Sequence, residues 1–428
     1  MPPVAAGVGL PWDAPVHDAV AAIGAARAEF GDTFVVDSGA DRYLFTFSPS
    51  GVHDLYGLAE ERASKGVADW RMLRRKLPDE LFSGRRTFPH DLFRRADALA
   101  YMANVRAALA ATVDEMGPTG TVDVFDLTRR LGHRVGLASW GGPGSADAPA
   151  LAPLVAAFDV LDGAESFVHP EAMARVAQTG KSAERAALGD ITDRIGASVD
   201  RLDAEPALAD DHPLFARLAA SWSDEDGAVR RTGIAHDVAL VHIASMSNLS
   251  AAMGWALVDL FENAGACRRV AAGDTTWAEQ CALESTRLAQ RSIMARHVLQ
   301  PVTISDGPRV FEVGPGATVA TLLPLTNTSA APGYDRWDPA RWNRRRLADP
   351  GPLPAVELVT VFGHGKHTCP AQPFSLAAMT AAMETLAAAC AWTPGWTERP
   401  RPVPAQIGGV ARAAGPCPAT YRRRARHL

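Results

Sequence analysis

The run Phe362-Gly363-His364-Gly365-Lys366-His367-Thr368-Cys369-Pro370 confines one cysteine to a tight, glycine-spaced loop directly before an apolar helical run from Phe374 to Cys390. Any fold for this chain has to present that loop against the helix that follows it. Such a loop can hold a thiolate rigidly beneath a metal while peptide N–H groups point at the sulfur. Hydrogen bonds of that kind set the basicity of a ligating sulfur and the electronics of its metal. His367, two residues before the cysteine, is placed to reach a carboxylate of the same cofactor. The plainer alternative is a buried structural thiol after a glycine turn.

The chain has 428 residues, more than one compact core usually needs, so it is either two domains or one large helical body. Its net charge of −5 gives no footprint for nucleic acid or an anionic membrane surface. No apolar run reaches the roughly 18 residues that span a bilayer, and Met1–Leu10 lacks the basic start of a signal peptide. A cytoplasmic protein is expected. The cysteines Cys267, Cys281, Cys369, Cys390 and Cys417 show no paired spacing, which argues against a disulfide framework or a zinc site. Arginine greatly outnumbers lysine, which occurs only at Lys65, Lys76, Lys181 and Lys366. Gly180-Lys181-Ser182 has the tail of a phosphate-binding loop, but Arg175 stands where its first glycine is required.

Helical periodicity dominates. Helices are expected over Pro15–Phe30, Leu92–Met116, Val124–Leu137, Ala183–Asp203, His236–Ala264 and Thr276–Arg296. Thr33–Ser48 reads as a β-hairpin around Ser38-Gly39-Ala40-Asp41, and strands are expected at Pro301–Ile304, Arg309–Val313 and Thr318–Leu323. Asn343–Pro354, rich in Arg, Pro and Gly, should be irregular. The expected architecture is mainly α: one body over 1–428, with an N-terminal helix and β region (15–80), a helical body (90–300) and a last part (301–428) holding strands, the cysteine loop and a final helix.

Within the helix expected over Thr276–Arg296, Glu284-Ser285-Thr286-Arg287 puts two opposite charges on one face at i, i+3 spacing. On its own such a pair is usually a solvated surface contact. Downstream lies Tyr334-Asp335-Arg336-Trp337-Asp338-Pro339-Ala340-Arg341-Trp342, then the cysteine loop. Taken together, the three segments resemble the cytochrome P450 superfamily from about residue 15 to the C-terminus. The loop matches that family's Phe-Gly-x-Gly-x-His/Arg-x-Cys-x-Gly pattern except at its last position, where this chain has Ala371.

The resemblance implies the P450 fold, haem b held by Cys369, and Phe362, Gly363, Gly365 and His367 as further cofactor-binding residues. It also implies that Glu284, Arg287 and Arg341 form a buried network that supports the cysteine loop and takes no part in catalysis. Two pairs have the aromatic-or-His-x-x-x-Arg spacing that would meet the haem propionates, Trp70 with Arg74 and His90 with Arg94. The second lies directly before the helix expected over Leu92–Met116 and suits the family's layout better.

In most members of that family the helix matching His236–Ala264 carries Ala-Gly-x-Asp/Glu-Thr. Here Ala244-Ser245-Met246-Ser247-Asn248 stands in its place, with serine for the acid and asparagine for the threonine. Splitting dioxygen needs protons delivered to the distal oxygen. An amide has none to give, although it can donate a fixed hydrogen bond. Asn248 therefore suits the orienting of a bound heteroatom, with Ser247 as the remaining group able to relay protons. The pattern looks like the branch containing prostacyclin synthase and cholesterol 7α-hydroxylase, which includes both rearranging and hydroxylating chemistry.

The expected substrate is a hydrophobic small molecule, by analogy a bacterial secondary metabolite. Its pocket would be lined by Ala244, Ser245, Met294 and Val298. The expected chemistry is cleavage of an N–O or O–O bond already present in the substrate, followed by cyclisation, rearrangement or heteroatom transfer. The alternative is a conventional monooxygenase fed by dioxygen and a ferredoxin/ferredoxin reductase pair. A haem sensor without catalysis is a more distant reading.

Overall fold

In the computed structural model the described residues are 1–424 without Arg86, Phe88, 164–168 and Arg344, and without the side chains of Pro89 and His90. The molecule is mainly helical with several small sheets. Local chemistry marks many of the helix starts. Asp18 caps Ala19–Phe30 by accepting from Ala21 N–H, and Ser64 caps Lys65–Leu73 through Val67 N–H. Asp123 caps Val124–Gly136 through two N–H groups, and Asp274 caps Thr275–Ala289. Each cap satisfies N–H groups that have no partner inside their own helix.

One long helical element runs through the centre in three parts: Gly227–Val241, a wider π-helical stretch at His242–Met246, and Ser247–Glu262. The expected helix over His236–Ala264 is thus interrupted. Side chains at the interruption compete for backbone carbonyls: Ser245 bonds to Val241 O, Asn248 to Ala244 O and Ser250 to Met246 O. Such back-bonding widens or bends a helix. From Leu249 to Phe261 every residue is buried, and the large helical core is built around this rod.

The largest sheet has five strands in the order Thr33–Ser38, Asp41–Thr46, Thr318–Leu322, Ile293–Val298, Ala63–Ser64. Its one parallel contact joins Asp41–Thr46 to Thr318–Leu322. Two smaller apolar cores pack against this sheet, one through Phe34, Phe45 and Phe47 and the other through Leu44, Val298 and Val319. Val302–Asp306 and Arg309–Val313 form a separate hairpin turning at Gly307. A three-stranded sheet of Cys390–Pro394, Pro418–Arg423 and Thr119–Asp123, tying the C-terminal region to the middle of the chain, was not expected.

Three boundaries differ from expectation. The helix over Thr276–Arg296 ends at Ala289, and Ile293–Val298 pairs instead with Thr318–Leu322. The turn is made at Gln290, extended at ψ 128, whose amide donates to Val361 O. The run Leu92–Met116 is divided, because Arg94 is extended at ψ 142, and its α-helical part is Ala98–Glu115. Within 343–354 a two-residue ladder joins Trp342–Asn343 to Arg346–Leu347. Among the described residues no helix is long and apolar enough to cross a membrane.

Candidate functional site

The loop before Gln372–Ala389 is closed by its own backbone. Cys369 N–H donates to Phe362 O at 2.7 Å, Gly363 N–H to Thr360 Oγ1 at 2.8 Å, and His367 N–H to His364 O at 3.1 Å. Gly363 has φ +82, and a β-carbon there would lie 2.5 Å from the His367 carbonyl oxygen. Only glycine meets both conditions without strain. Gln372 N–H donates to the Cys369 carbonyl oxygen at 3.1 Å. Burial pushes the thiol above its ordinary pKa, while the nearby N–H groups of Ala371 and Gln372, and Lys65, pull it down.

Behind the loop lies a dry ion network. Glu284 and Arg287 are fully buried and joined by two hydrogen bonds of 2.8 and 2.7 Å. Arg287 also donates to the carbonyls of Asn327 and Tyr334 at 2.6 and 2.7 Å. Glu284 accepts further from Asp338 N–H, Arg341 Nε and Trp342 Nε1. The structure therefore brings Glu284, Arg287 and Arg341 together, with the Arg341 guanidinium 4.0 Å from the centre of the Tyr334 ring. Asn327, missed in the sequence, links network to loop. Its amide donates to Arg287 O and Thr360 O, and its oxygen accepts from Thr360 N–H.

Cys369 lies in the wall of a cavity of about 520 Å³, with Phe362, Gly363 and His367 beside it and Ala244, Ser245, Ser247 and Asn248 also in the lining. Ala244 is exposed to this space. Asn248 is tethered at both ends of its amide: Oδ1 accepts from Val410 N–H at 2.8 Å and Nδ2 donates to Ala244 O at 2.9 Å. An amide nitrogen carries two hydrogens, so one N–H remains for a ligand. Gly409, at φ +63, lets its chain pass close to this amide, since a β-carbon there would meet Asn248 Oδ1 at 2.2 Å.

Several expected positions move. Met294 lines the cavity, but Val298 is buried in the core beside the sheet. At about 3.3 Å per residue the strand carries Val298 roughly 13 Å beyond Met294. Arg94 is on the surface, paired with Asp91 at 3.0 Å and absent from the cavity wall. The His90 side chain lies outside the described residues. Trp70 and Arg74 stack on each other at 4.5 Å, and neither lines the cavity. Cations near His367 are the buried Arg296 and, in the cavity wall, Lys65, which starts Lys65–Leu73 and is ion-paired with Asp69.

Two more charged groups absent from the sequence reading, Asp162 and Arg412, line the cavity as an ion pair of 2.9 Å. A signal for part of this was present. In a chain that uses arginine almost everywhere, Lys65 and Lys76 are two of its four lysines. Lys76 is fully buried, donates to Gly163 O at 3.0 Å, and is brought down to about 8 by burial. Among the described residues no cluster of histidine, cysteine, aspartate and glutamate is arranged to hold a metal by itself. No protein-family model matches the chain, and no curated protein matches it significantly.

Proposed function

We propose that this chain is a cytochrome P450, a haem-thiolate enzyme that tailors a hydrophobic small molecule. The observation that carries the reading is Cys369 itself: a half-buried cysteine in the wall of a large cavity, with the peptide N–H groups of Ala371 and Gln372 near its sulfur. A free thiol does not need that cap, whereas a thiolate on iron is tuned by it. The residues present fit haem b in three respects. Phe362, Val361, Leu323 and Ala244 give the cavity an apolar lining, and Lys65 with His367 offers positive or hydrogen-bonding groups for acid side chains. The Glu284–Arg287–Arg341 network braces the loop from behind. When bound, haem would supply an iron that takes an oxygen or nitrogen ligand and exchanges electrons with it.

The protein's own part in the chemistry is orientation. Asn248, fixed by Val410 and Ala244, presents one N–H to a heteroatom and has no proton to give. That favours a substrate whose N–O or O–O bond is already formed, ending in cyclisation, rearrangement or heteroatom transfer. The second reading is conventional oxygenation with dioxygen and a ferredoxin partner. Ser247 keeps this alive, because its hydroxyl lines the same cavity and can pass protons on. Titrating haem-loaded protein with candidate metabolites, with and without reductant, separates the two by absorbance and product. Turnover by the ferric form alone supports the first; an absolute need for reductant, partner and dioxygen supports the second. Protein that takes up no haem refutes both.

A further inference from the structure

The wall of the large cavity is mainly apolar, yet Arg412 and Asp162 stand in it as an ion pair of 2.9 Å. A charge beside an apolar chamber gives up hydration and needs compensation. Here the compensation is partial. One nitrogen, Arg412 Nη2, meets one oxygen, Asp162 Oδ2, and among the described residues Arg412 Nε and Nη1 make no hydrogen bond. About a quarter of the Arg412 side chain (26%) stays exposed, so these N–H groups can be reached.

Arg412 is also held in place before any ligand arrives. Val410 N–H donates to Asn248 Oδ1 at 2.8 Å, and Trp255 Nε1 donates to Ala411 O at 2.6 Å. Asn248 and Trp255 lie about two turns apart on the central rod, so the two bonds staple the segment along it. Val403 N–H donates to Arg412 O at 3.0 Å and fixes the other side. A guanidinium on a pinned backbone loses little freedom when it meets a ligand, which makes the contact oriented as well as attractive.

We propose that Arg412 is the docking point for a carboxylate on the substrate, so that the chamber takes an amphipathic acid: an apolar body with one anionic group. The inference deepens the reading of the large cavity as the substrate chamber and rests on it. The surroundings select an anion over an ammonium group. Asp162 already has three cations about it, Arg412, Arg129 and Lys76, and a fourth would be repelled. The acids that balance the outer two stand away from the chamber: Asp159 pairs with Arg129, Glu184 lies near Lys76, and neither lines the cavity. A carboxylate arriving at Arg412 finds N–H donors to spare, and its charge-assisted bonds are the strong kind. With its acid end fixed there, the apolar body is left to run along Leu240, Ile243 and Ala252 of the rod, which orients the molecule in the chamber.

The test uses the full haem-loaded chain and three probes that share one apolar body: phenylbutyrate, its neutral amide phenylbutyramide, and the phenylbutyl-trimethylammonium cation, which cannot ligate iron. Affinities are read by calorimetry. The acid should bind ~10-fold tighter than the amide, and the cation weakest. Arg412→Gln should bring the acid down to the amide's level while the amide keeps its parent affinity, and Arg412→Lys should recover part of the preference. Asp162→Asn removes the competing carboxylate and should tighten the acid further. Equal affinities for acid and amide, a preference for the cation, or an acid preference that survives Arg412→Gln each overturn the proposal. Haem loss in an Arg412→Gln protein of parent circular dichroism would assign the guanidinium to the cofactor's own acid groups and overturn it too. Where Arg412→Gln folds poorly, Asp162→Asn decides, and an acid affinity that fails to rise overturns the proposal. A colourless parent overturns the haem reading alone. The acid preference and its loss in Arg412→Gln are read by heat on the same chain, so the two failures stay distinct.

Discussion

Two charged regions flank the cavity, and they are built on opposite terms. Next to the cysteine loop, the Glu284–Arg287 network is dry, and Glu284 accepts five hydrogen bonds from four different residues. Behind the central rod, Asp162, Lys76, His133 and His242 are displaced from their ordinary pKa ranges by burial. Of these, Asp162, His133 and His242 border a small space of about 10 Å³. A saturated network has nothing left to exchange and serves as a brace. Groups displaced in this way can gain or lose protons with small rearrangements, which is what chemistry requires.

The comparison breaks most visibly if the brace can be cut without consequence. Glu284→Ala or Arg287→Ala leaves a buried charge unpaired and should cost ~3–5 kcal/mol, giving protein that unfolds early in urea and retains no haem. A midpoint close to the parent's would remove the distinction between the two regions. Gly363→Ala acts on the same side by forcing a β-carbon against the His367 carbonyl at φ +82. A loss of about 1–3 kcal/mol is expected, with reduced haem retention; a freely tolerated alanine would mean that the loop is softer than drawn.

The opposite side should reveal itself through acid. Unfolded histidine takes its proton near 6.5, whereas folded His133 stays neutral down to about 3. Between those values the unfolded chain binds more protons, so stability is level above pH 6.5 and falls as pH drops through the window. The slope is about 1.4 kcal/mol per pH unit for each such histidine. Urea unfolding at stepped pH in the parent and in His133→Asn should show a shallower acid limb in the variant; identical limbs would mean His133 is not held neutral by the fold. The smallest stability effect, about 0.5–1.5 kcal/mol, is expected for Asn248→Thr, which loses the hold on Val410 N–H. Its product distribution should nevertheless change, and unchanged products would show that Asn248 has no special part in the chemistry.

What could be read from the sequence was what short spacing encodes. Glu284 and Arg287 lie one helical turn apart, and the loop glycines lie within a few residues of Cys369, so local geometry nearly dictates their contacts. Lys65, Asp162 and Arg412 were missed because each reaches the cavity from a distant element, and Asn327 because it meets Thr360 from another; no local pattern links them. The central rod was expected to be continuous, since its apolar period runs through the interruption. What breaks it is hydroxyl and amide competition for carbonyls, which periodicity does not register. Arg94 was expected at the cavity from its spacing to His90 and its place before the helix reaching Met116, but its backbone is extended and its charge is already taken by Asp91.

The central claim, that Cys369 is the sulfur on a haem iron, is tested most directly by the absorbance of purified protein grown with ample haem precursor. The reduced, carbon monoxide-bound form should show the red-shifted Soret band of thiolate ligation in the parent chain and lose it in Cys369→Ala. A colourless parent, or a variant with the parent's spectrum, would contradict the account.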